Sequence, residues 1–254
     1  MNDYFRYRYT TNIEFNLALG THVAIIGNSN DFFLDSLINK NEKCNIFIGD
    51  KEYTFENKYY IRKLMSFVLY KHLNTFVGET LRDEIAFGLE SLAYSKDDIN
   101  DLITRWSRRF KLDSLLEKDP NSLGSSDKVK MKILSSLIIK PNVLVIDNVL
   151  CELDYVDKLL VFDILHEYTK NQGIVINLTS DMEETLEANR IIILHDNKLA
   201  CDGKTLSVLN EEKLLKTLGL GMPFIVELNK YLMDYGMINK YNLTNEKLVD
   251  ALWK

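Results

Sequence analysis

The chain has 254 residues, 46% of them hydrophobic and 27% charged, which fits one globular α/β domain with room for a small appendage. A net charge of -6 and a sequence pI near 5.4 argue against a generic nucleic-acid surface, and the basic cluster Arg105, Arg108, Arg109, Lys111 reads as a solvated helix face. No apolar run reaches the ~20 residues that span a bilayer, and Met1-Asn2-Asp3-Tyr4 has no basic start followed by an apolar stretch, so a soluble cytoplasmic protein is expected.

In chain order, the first clear element is His22 to Gly27, a nearly all-apolar run ending in glycine, the pattern of a strand buried on both faces. Between about 79 and 140 the apolar residues fall at helical spacing (Leu102, Trp106, Phe110, then Ile133, Leu137), which predicts a helical insertion. Val143 to Ile146, closed by Asp147, Gly173 to Leu178, closed by Thr179-Ser180, and Arg190 to Leu194 are three more buried-strand runs. Buried strands alternating with helical stretches imply a parallel sheet. After Leu209 the spacing turns helical again, and Gly219-Leu220-Gly221-Met222-Pro223 should stop one helix and begin another. The expected organisation is a domain over 1–210 and a small helical appendage over 211–254. Cys44, Cys151 and Cys201 have no C-x-x-C spacing and read as small apolar fillers.

Gly27, Asn28, Ser29, Asn30, Asp31, Phe32, Phe33, Leu34 and Asp35 occupy the place of a phosphate-binding loop between a strand and a helix. In the motif G-x-x-x-x-G-K-[ST], backbone N–H groups wrap the phosphates, lysine neutralises them and the hydroxyl binds magnesium. Counting from Gly27, the second glycine falls on Phe32, the lysine on Phe33 and the hydroxyl on Leu34. Asp31 and Asp35 add negative charge at the same place. By itself this segment is a strand-turn-helix with the phosphate chemistry missing.

Later segments carry a resemblance. Ile61 to Glu90 reads I-R-K-L-M-S-F-V-L-Y-K-H-L-N-T-F-V-G-E-T-L-R-D-E-I-A-F-G-L-E. Without a gap it resembles the Q-loop segment I-R-x-x-x-G-x-V-F-Q-N-P-x-x-Q-F-V-G-x-T-V-x-x-D-I-A-F-G-L-E of energy-coupling-factor (ECF) ABC transporter ATPases, with Tyr70 at the glutamine position. Pro120 to Lys128 resembles the signature P-x-x-L-S-G-G-Q-K, matching at Pro120, Leu123 and Lys128. Pro141 to Asn148 resembles the strand P-x-I-I-I-L-D-E, keeping Asp147 as a candidate magnesium carboxylate and placing Asn148 where the base glutamate stands. Leu153-Asp154 resembles the D-loop, and Ser180 takes the place of the switch histidine of T-H-D. Ala188 to Leu194, Asp202-Gly203-Lys204, Leu218 to Leu228 and Leu243 to Val249 resemble the family's later strands and C-terminal domain.

The resemblance implies an α/β P-loop NTPase core of the ABC ATPase type, with a parallel-rich sheet, the helical insertion and a small C-terminal domain of dimerisation type. It also implies ATP and magnesium as ligands, weakly or not at all at this chain's own loop, because Phe33, Tyr70, Asn148 and Ser180 all depart from the chemistry. Such ATPases pair head to tail, so Leu123, Gly124, Ser125, Ser126, Asp127 and Asp154 would face a competent second ATPase subunit. Asp127 is the difficulty there, as a carboxylate near phosphate. Phe33 would fill the space of the phosphates. Tyr4, Phe5, Tyr7 and Tyr9 are candidates to stack adenine, or strand aromatics packing on the sheet. Phe76, Val77 and Leu81, within 73–81, are candidate contacts to a transmembrane coupling subunit, or core. A substrate-binding membrane subunit would join indirectly, nucleic acid would not, and the chain would sit on the inner face of the cell membrane. Two alternatives stay open: an active ATPase in which Lys40 or Lys43 reaches the phosphates, and an interaction scaffold outside transport.

Overall fold

The structure, a computed structural model, describes residues 3–10, 12–39 and 43–253. Its strands are β1 (Asp3–Tyr9), β2 (Ile13–Ala18), β3 (His22–Ile26), β4 (Cys44–Ile48), β5 (Lys51–Glu52), β6 (Met65–Leu69), β7 (Val143–Asp147), β8 (Ile174–Leu178), β9 (Arg190–His195) and β10 (Lys198–Lys204). The helices before β7 are α1 (Asn30–Asn39), α2 (Lys58–Leu64), α3 (Leu81–Ser91), α4 (Lys96–Arg109) and α5 (Ser125–Leu137). Those after it are α6 (Tyr155–Lys170), α7 (Thr205–Leu209), α8 (Glu212–Thr217), α9 (Phe224–Asp234) and α10 (Asn245–Leu252). No helix among the described residues is long and apolar enough to cross a membrane.

Two sheets form. One has the order β10-β9-β3-β8-β7-β6, in which β9, β3, β8, β7 and β6 run parallel and β10 is antiparallel at the edge. The other, β2-β1-β4-β5, is antiparallel. All four strands read from apolar runs are present in the parallel sheet, as β3, β7, β8 and β9. Three helices, α3, α4 and α5, follow β6 and precede β7.

Strand alternation sorts the core into layers. Val23, Ile25, Val143 and Val145 point toward the antiparallel sheet and meet Phe5, Tyr7, Phe15 and Leu17. On the opposite face Leu144 and Ile146 pack with Ile85, Ile103, Met131 and Leu134 of the inserted helices. Ala24, Ile26, Ile191 and Ile193 are covered by Val226, Leu215 and Leu248 of the C-terminal helices. Both faces are thus buried, which is why these strands read as continuous apolar runs. Helix starts are set by short polar side chains: Thr80 and Asp83 make a reciprocal capping box on α3, and Ser95, Asp154 and Thr244 cap α4, α6 and α10. Pro223 stands immediately before α9, where its lost N–H costs nothing.

His22 opens β3 and is 2% exposed, with neither ring nitrogen hydrogen-bonded among the described residues and its ring 6.0 Å from that of His166. Burial, and then His166, lower its pKa to about 3. The imidazole therefore stays neutral in the fold while the unfolded chain takes up a proton below about pH 6.5. Stability from this site is full above that value and declines as the pH falls toward the folded value. Replacing His22→Phe is expected to shrink the difference between urea midpoints at about pH 7 and about pH 5. An unchanged difference would assign the acid-side loss to another group.

Candidate functional site

Of the four positions expected to depart from the phosphate chemistry, Tyr70, Asn148 and Ser180 follow directly from one edge of the parallel sheet, and Phe33 lies in α1, which the loop from Gly27 enters. Gly27, Tyr70, Asn148 and Ser180 come just after the carboxyl ends of β3, β6, β7 and β8; the final residues of β6, β7 and β8 are in register (Leu69 with Asp147, Asp147 with Leu178), and β3 runs one residue past its Ile25–Leu178 pair. Ligand crevices of open α/β sheets lie at that edge.

At the first of these, Gly27 has φ +118°, and a Cβ there would sit 2.1 Å from the Leu194 carbonyl oxygen, so only glycine allows the turn to pass β9. Asn28 then clasps the β9–β10 turn. Its Nδ2 donates to Asp196 Oδ1 at 2.9 Å and its Oδ1 accepts from the Asp196 N–H at 2.8 Å. Ser29 Oγ accepts from the Asn197 N–H at 2.9 Å, and Asn30 Nδ2 donates to the Ile25 carbonyl at 3.1 Å. Helix α1 starts at Asn30, and the Phe33 N–H is already bonded to the Ser29 carbonyl at 3.0 Å. Phe33 is 0% exposed and turns into the core, its ring edge-on to Tyr7 with centroids 4.7 Å apart and 5.7 Å from Phe15. Leu34 is buried beside it, and Phe32 lies edge-on to Tyr9 at 4.7 Å. Phe33 therefore fills the layer between the sheets, away from the crevice. Asp35, expected to add charge to the loop, accepts instead from Asn39 Nδ2 at 2.6 Å one turn along α1. Among the N-terminal aromatics, Phe5 and Tyr7 are fully buried and offer no face to a base, Tyr9 is taken by Phe32, and Tyr4 packs on Gly49.

Asp147 ends β7. Burial, and then the Asp31 carboxylate, push its pKa up, against the opposing Tyr70 N–H and Lys71. Among the described residues no three His, Cys, Asp or Glu side chains are grouped to hold a metal ion. Asn148 and Ser180 engage each other: Asn148 Oδ1 accepts from Ser180 Oγ at 3.1 Å and from its N–H at 3.4 Å. Asn148 sits at φ +49°, with its N–H bonded to the Leu178 carbonyl and its carbonyl accepting from the exposed Cys151 thiol. Of the three cysteines, Cys44 packs in the core, and Cys151 is not the filler expected. The Tyr70 hydroxyl donates to Glu152, whose carboxylate holds its pKa up.

The signature segment is a second surface. Leu123 is buried, Gly124 precedes α5 with open space where a Cβ would stand, and Ser125 is exposed. Ser126 Oγ donates to Asp157 Oδ2 at 2.6 Å, and Asp127 is ion-paired with Lys130 at 2.9 Å. Asp154 accepts from the Asp157 N–H at 2.9 Å and so caps α6.

Within the 73–81 segment, residues 75–78 are gathered by Glu84 and Lys132. Glu84 accepts from the N–H groups of Val77 and Gly78 at 2.7 and 3.0 Å and pairs with Lys132 at 2.8 Å; Lys132 also donates to the Thr75 carbonyl. A Cβ on Gly78 would lie 2.3 Å from the Glu84 nitrogen, so this approach requires glycine. Leu81 is core, Phe76 lies under Lys132, and Val77 is 68% exposed. A cleft of about 300 Å³ opens beside Glu84, lined also by Phe67, His72, Phe87, Lys132 and Ile139. Burial works to raise the pKa of Glu84, but the N–H groups of Gly78 and Val77 and the Lys132 ammonium outweigh it and leave it lowered. Its stability contribution is present above the unfolded value near 4.3 and lost as the pH falls through the lower folded value. Glu84→Gln is expected to cost about 1.5–3 kcal/mol and to speed hydrogen exchange at Val77 and Gly78 selectively. Equal protection in both proteins would refute the tie.

Sequence reasoning missed Glu84, Glu152, Lys130 and the Asn28–Asp196 clasp. Only the Asp196-Asn197 pair carried a local signal, since both residues favour the left-handed turn they adopt (φ +50° and +56°). Lys40 lies outside the described residues, and the Lys43 carbonyl accepts from Thr10 at the start of β4.

No family model matches the chain. It is 29% identical over 241 residues to the energy-coupling factor transporter ATP-binding protein EcfA1 of Mycoplasmopsis synoviae, covering 90% of each chain. It is 28% identical over 250 residues to the protein of that name from Bacillus licheniformis, covering 95% of this chain and 88% of the other. Among solved structures, cbiO1 from Clostridium perfringens, described as part of the ABC transporter complex cbiONQ, superposes with a TM-score of 0.73 at 19% identity over 90% of this chain and 100% of that one. A second, an ATP binding subunit of an ABC transporter, gives 0.72 at 16% identity over 85% and 97%. The curated relatives are thus ATP-binding subunits of energy-coupling-factor transporters, and the fold is the P-loop fold of ABC ATPases.

Proposed function

We propose that this chain is the non-hydrolysing member of an ATPase pair in an energy-coupling-factor transporter. It completes a competent subunit's ATP site and transmits its closure to a transmembrane coupling subunit. The observation that carries the reading is the conversion of the loop after β3 into packing. Phe33 lies in the Tyr7–Phe15 core, and Asn28 and Ser29 are tied to the β9–β10 turn. Triphosphate does not fit these residues. No lysine stands at position 33, and Asp31 places a carboxylate in the first turn of α1, where an anion would need the positive helix end. Asn148 is an amide bonded to Ser180 and has no carboxylate to take a proton from water. For magnesium, no group of three ligating side chains forms around Asp147 among the described residues, and burial and Asp31 already raise its pKa.

Residues 1–210 serve as the ATPase domain, with the helical part at about 79–140, and 211–254 as a C-terminal unit for pairing. The first N–H groups of α5 and the Ser125 hydroxyl face the partner's phosphate, and Asp154 stands at the same junction. The segment 73–81 and the adjoining cleft receive the coupling subunit, which seats the chain on the inner face of the membrane. A substrate-binding membrane subunit, reached indirectly, carries the vitamin, metal ion or similar micronutrient, and nucleic acid plays no part. A fluorescent ATP analogue tests this. The lone chain should bind at roughly millimolar strength, the affinity left when only base stacking contributes. Pairing with the competent subunit should create one micromolar site per pair. Micromolar binding by the lone chain would overturn the reading.

A further inference from the structure

The signature segment presents an apparent contradiction. A partner's phosphate needs donors and positive potential, yet Asp127 brings a carboxylate into the first turn of α5. Around it the side chains form a closed cluster. Lys130 Nζ lies 2.9 Å from Asp127 Oδ1 and 2.9 Å from Asp157 Oδ2, and its side chain is 5% exposed. The same Asp157 oxygen accepts from Ser126 Oγ at 2.6 Å, and the Asp157 N–H is bonded to Asp154 Oδ1. Burial disfavours a charged lysine, but the two carboxylates outweigh it and hold the ammonium protonated; Lys111 adds further positive potential at Asp157. Ser126 is thereby engaged within the chain, while the exposed Ser125 hydroxyl at the tip makes only a long bond, 3.4 Å, to the Glu152 carbonyl.

We infer that Lys130 is a positioning residue for the partner's ATP site. It draws the Asp127 carboxylate back along α5 and neutralises it, so that the helix start and Ser125 meet the phosphate without a facing negative charge. Through Asp157 it also fixes Ser126 and the D-loop residue Asp154 in one rigid unit. Lys130 touches no nucleotide; its effect passes through Asp127. The inference rests on the pairing proposed above.

The test uses the reconstituted ATPase pair and the ATP dependence of its hydrolysis, with substitutions in this chain only. Lys130→Gln should raise the half-saturating ATP concentration about tenfold, and Lys130→Arg should stay within about twofold of the unsubstituted pair. Adding Asp127→Asn to Lys130→Gln should bring the value back to within about threefold, because the charge that needed neutralising is gone. Ser125→Glu, which puts a carboxylate at the tip, should abolish turnover. If the Ser125→Glu pair turns over normally, the pairing itself is wrong and this role of Lys130 falls with it. If Ser125→Glu is inactive but Lys130→Gln is harmless, or is harmful and not relieved by Asp127→Asn, the pairing stands and the inference is overturned. Should Lys130→Gln fail to assemble, Asp127→Asn alone decides: a change under about twofold is expected, and a fall of about fivefold or more in half-saturating ATP would mean the carboxylate was never neutralised.

Discussion

Phe33→Lys is expected to destabilise the protein by at least about 3 kcal/mol and to restore no ATP hydrolysis. By the phosphate-loop motif alone, the substitution looks like a repair. In the fold, position 33 is fully buried between the rings of Tyr7 and Phe15, above the Tyr7–Ser36 hydrogen bond. Removing the ring forfeits about 3–5 kcal/mol by itself, and a buried ammonium with no carboxylate partner adds to that. Phe33→Leu keeps most of the packing and should cost only about 1 kcal/mol. Urea unfolding of the three proteins separates these outcomes. A Phe33→Lys protein within about 1 kcal/mol of the parent, binding ATP at micromolar strength, would show that the side chain reaches the crevice. Turnover should stay absent in any case, because Asn148 and Ser180 would still be bonded to each other.

Lys158→Met is expected to cost about 3–5 kcal/mol, the penalty for leaving a buried charge uncompensated. Lys158 Nζ lies 2.9 Å from Glu184 Oε1 and 3.0 Å from Asp181 Oδ2. Glu184 is the decisive partner, its side chain 1% exposed and also accepting from the buried Asn177 amide at 3.1 Å. Asp181 is more than a third exposed and contributes little. Burial works against the lysine charge, but Glu184 and Asp181 together raise its pKa. The pair's contribution is therefore complete below the unfolded lysine value near 10.4 and lost as the pH rises through the higher folded value. Combining Lys158→Met with Glu184→Leu should recover most of the loss, since an apolar pair of similar volume replaces the ions. Equal instability of the single and double variants would mean that Lys158 acts by packing alone. The readout matters for the site because residues 181–187 run from Ser180 to β9, and Glu183 accepts from the Phe224 N–H at the start of α9. Loosening this segment should therefore also loosen the C-terminal helices.

How much of this was legible beforehand depended on which periodicity each segment displays. The strands β3, β7, β8 and β9 are buried on both faces, so their composition alone marked them. The helices α4 and α5, and the break before Pro223, followed from apolar spacing and from glycine and proline. The antiparallel sheet leaves no such mark, because β1 and β2 alternate buried and exposed residues and their aromatics read equally well as ligand contacts. Burial decided that Phe5 and Tyr7 are core.

The sequence by itself determined which residues, Phe33, Tyr70, Asn148 and Ser180, stand where the resemblance of the later segments expects lysine, glutamine, glutamate and histidine. What stands in their place chemically was a matter for the tertiary structure alone. Phe33 entering the core, Asn148 bonding Ser180, Asn28 clasping Asp196 and Lys130 holding Asp127 and Asp157 are contacts in which the first three bring together side chains distant along the chain or on different layers. Local propensity carries no record of such meetings. They arise where the parallel strands end in register and the sheets and helices pack, which places at one edge residues that the chain itself keeps as much as 168 positions apart.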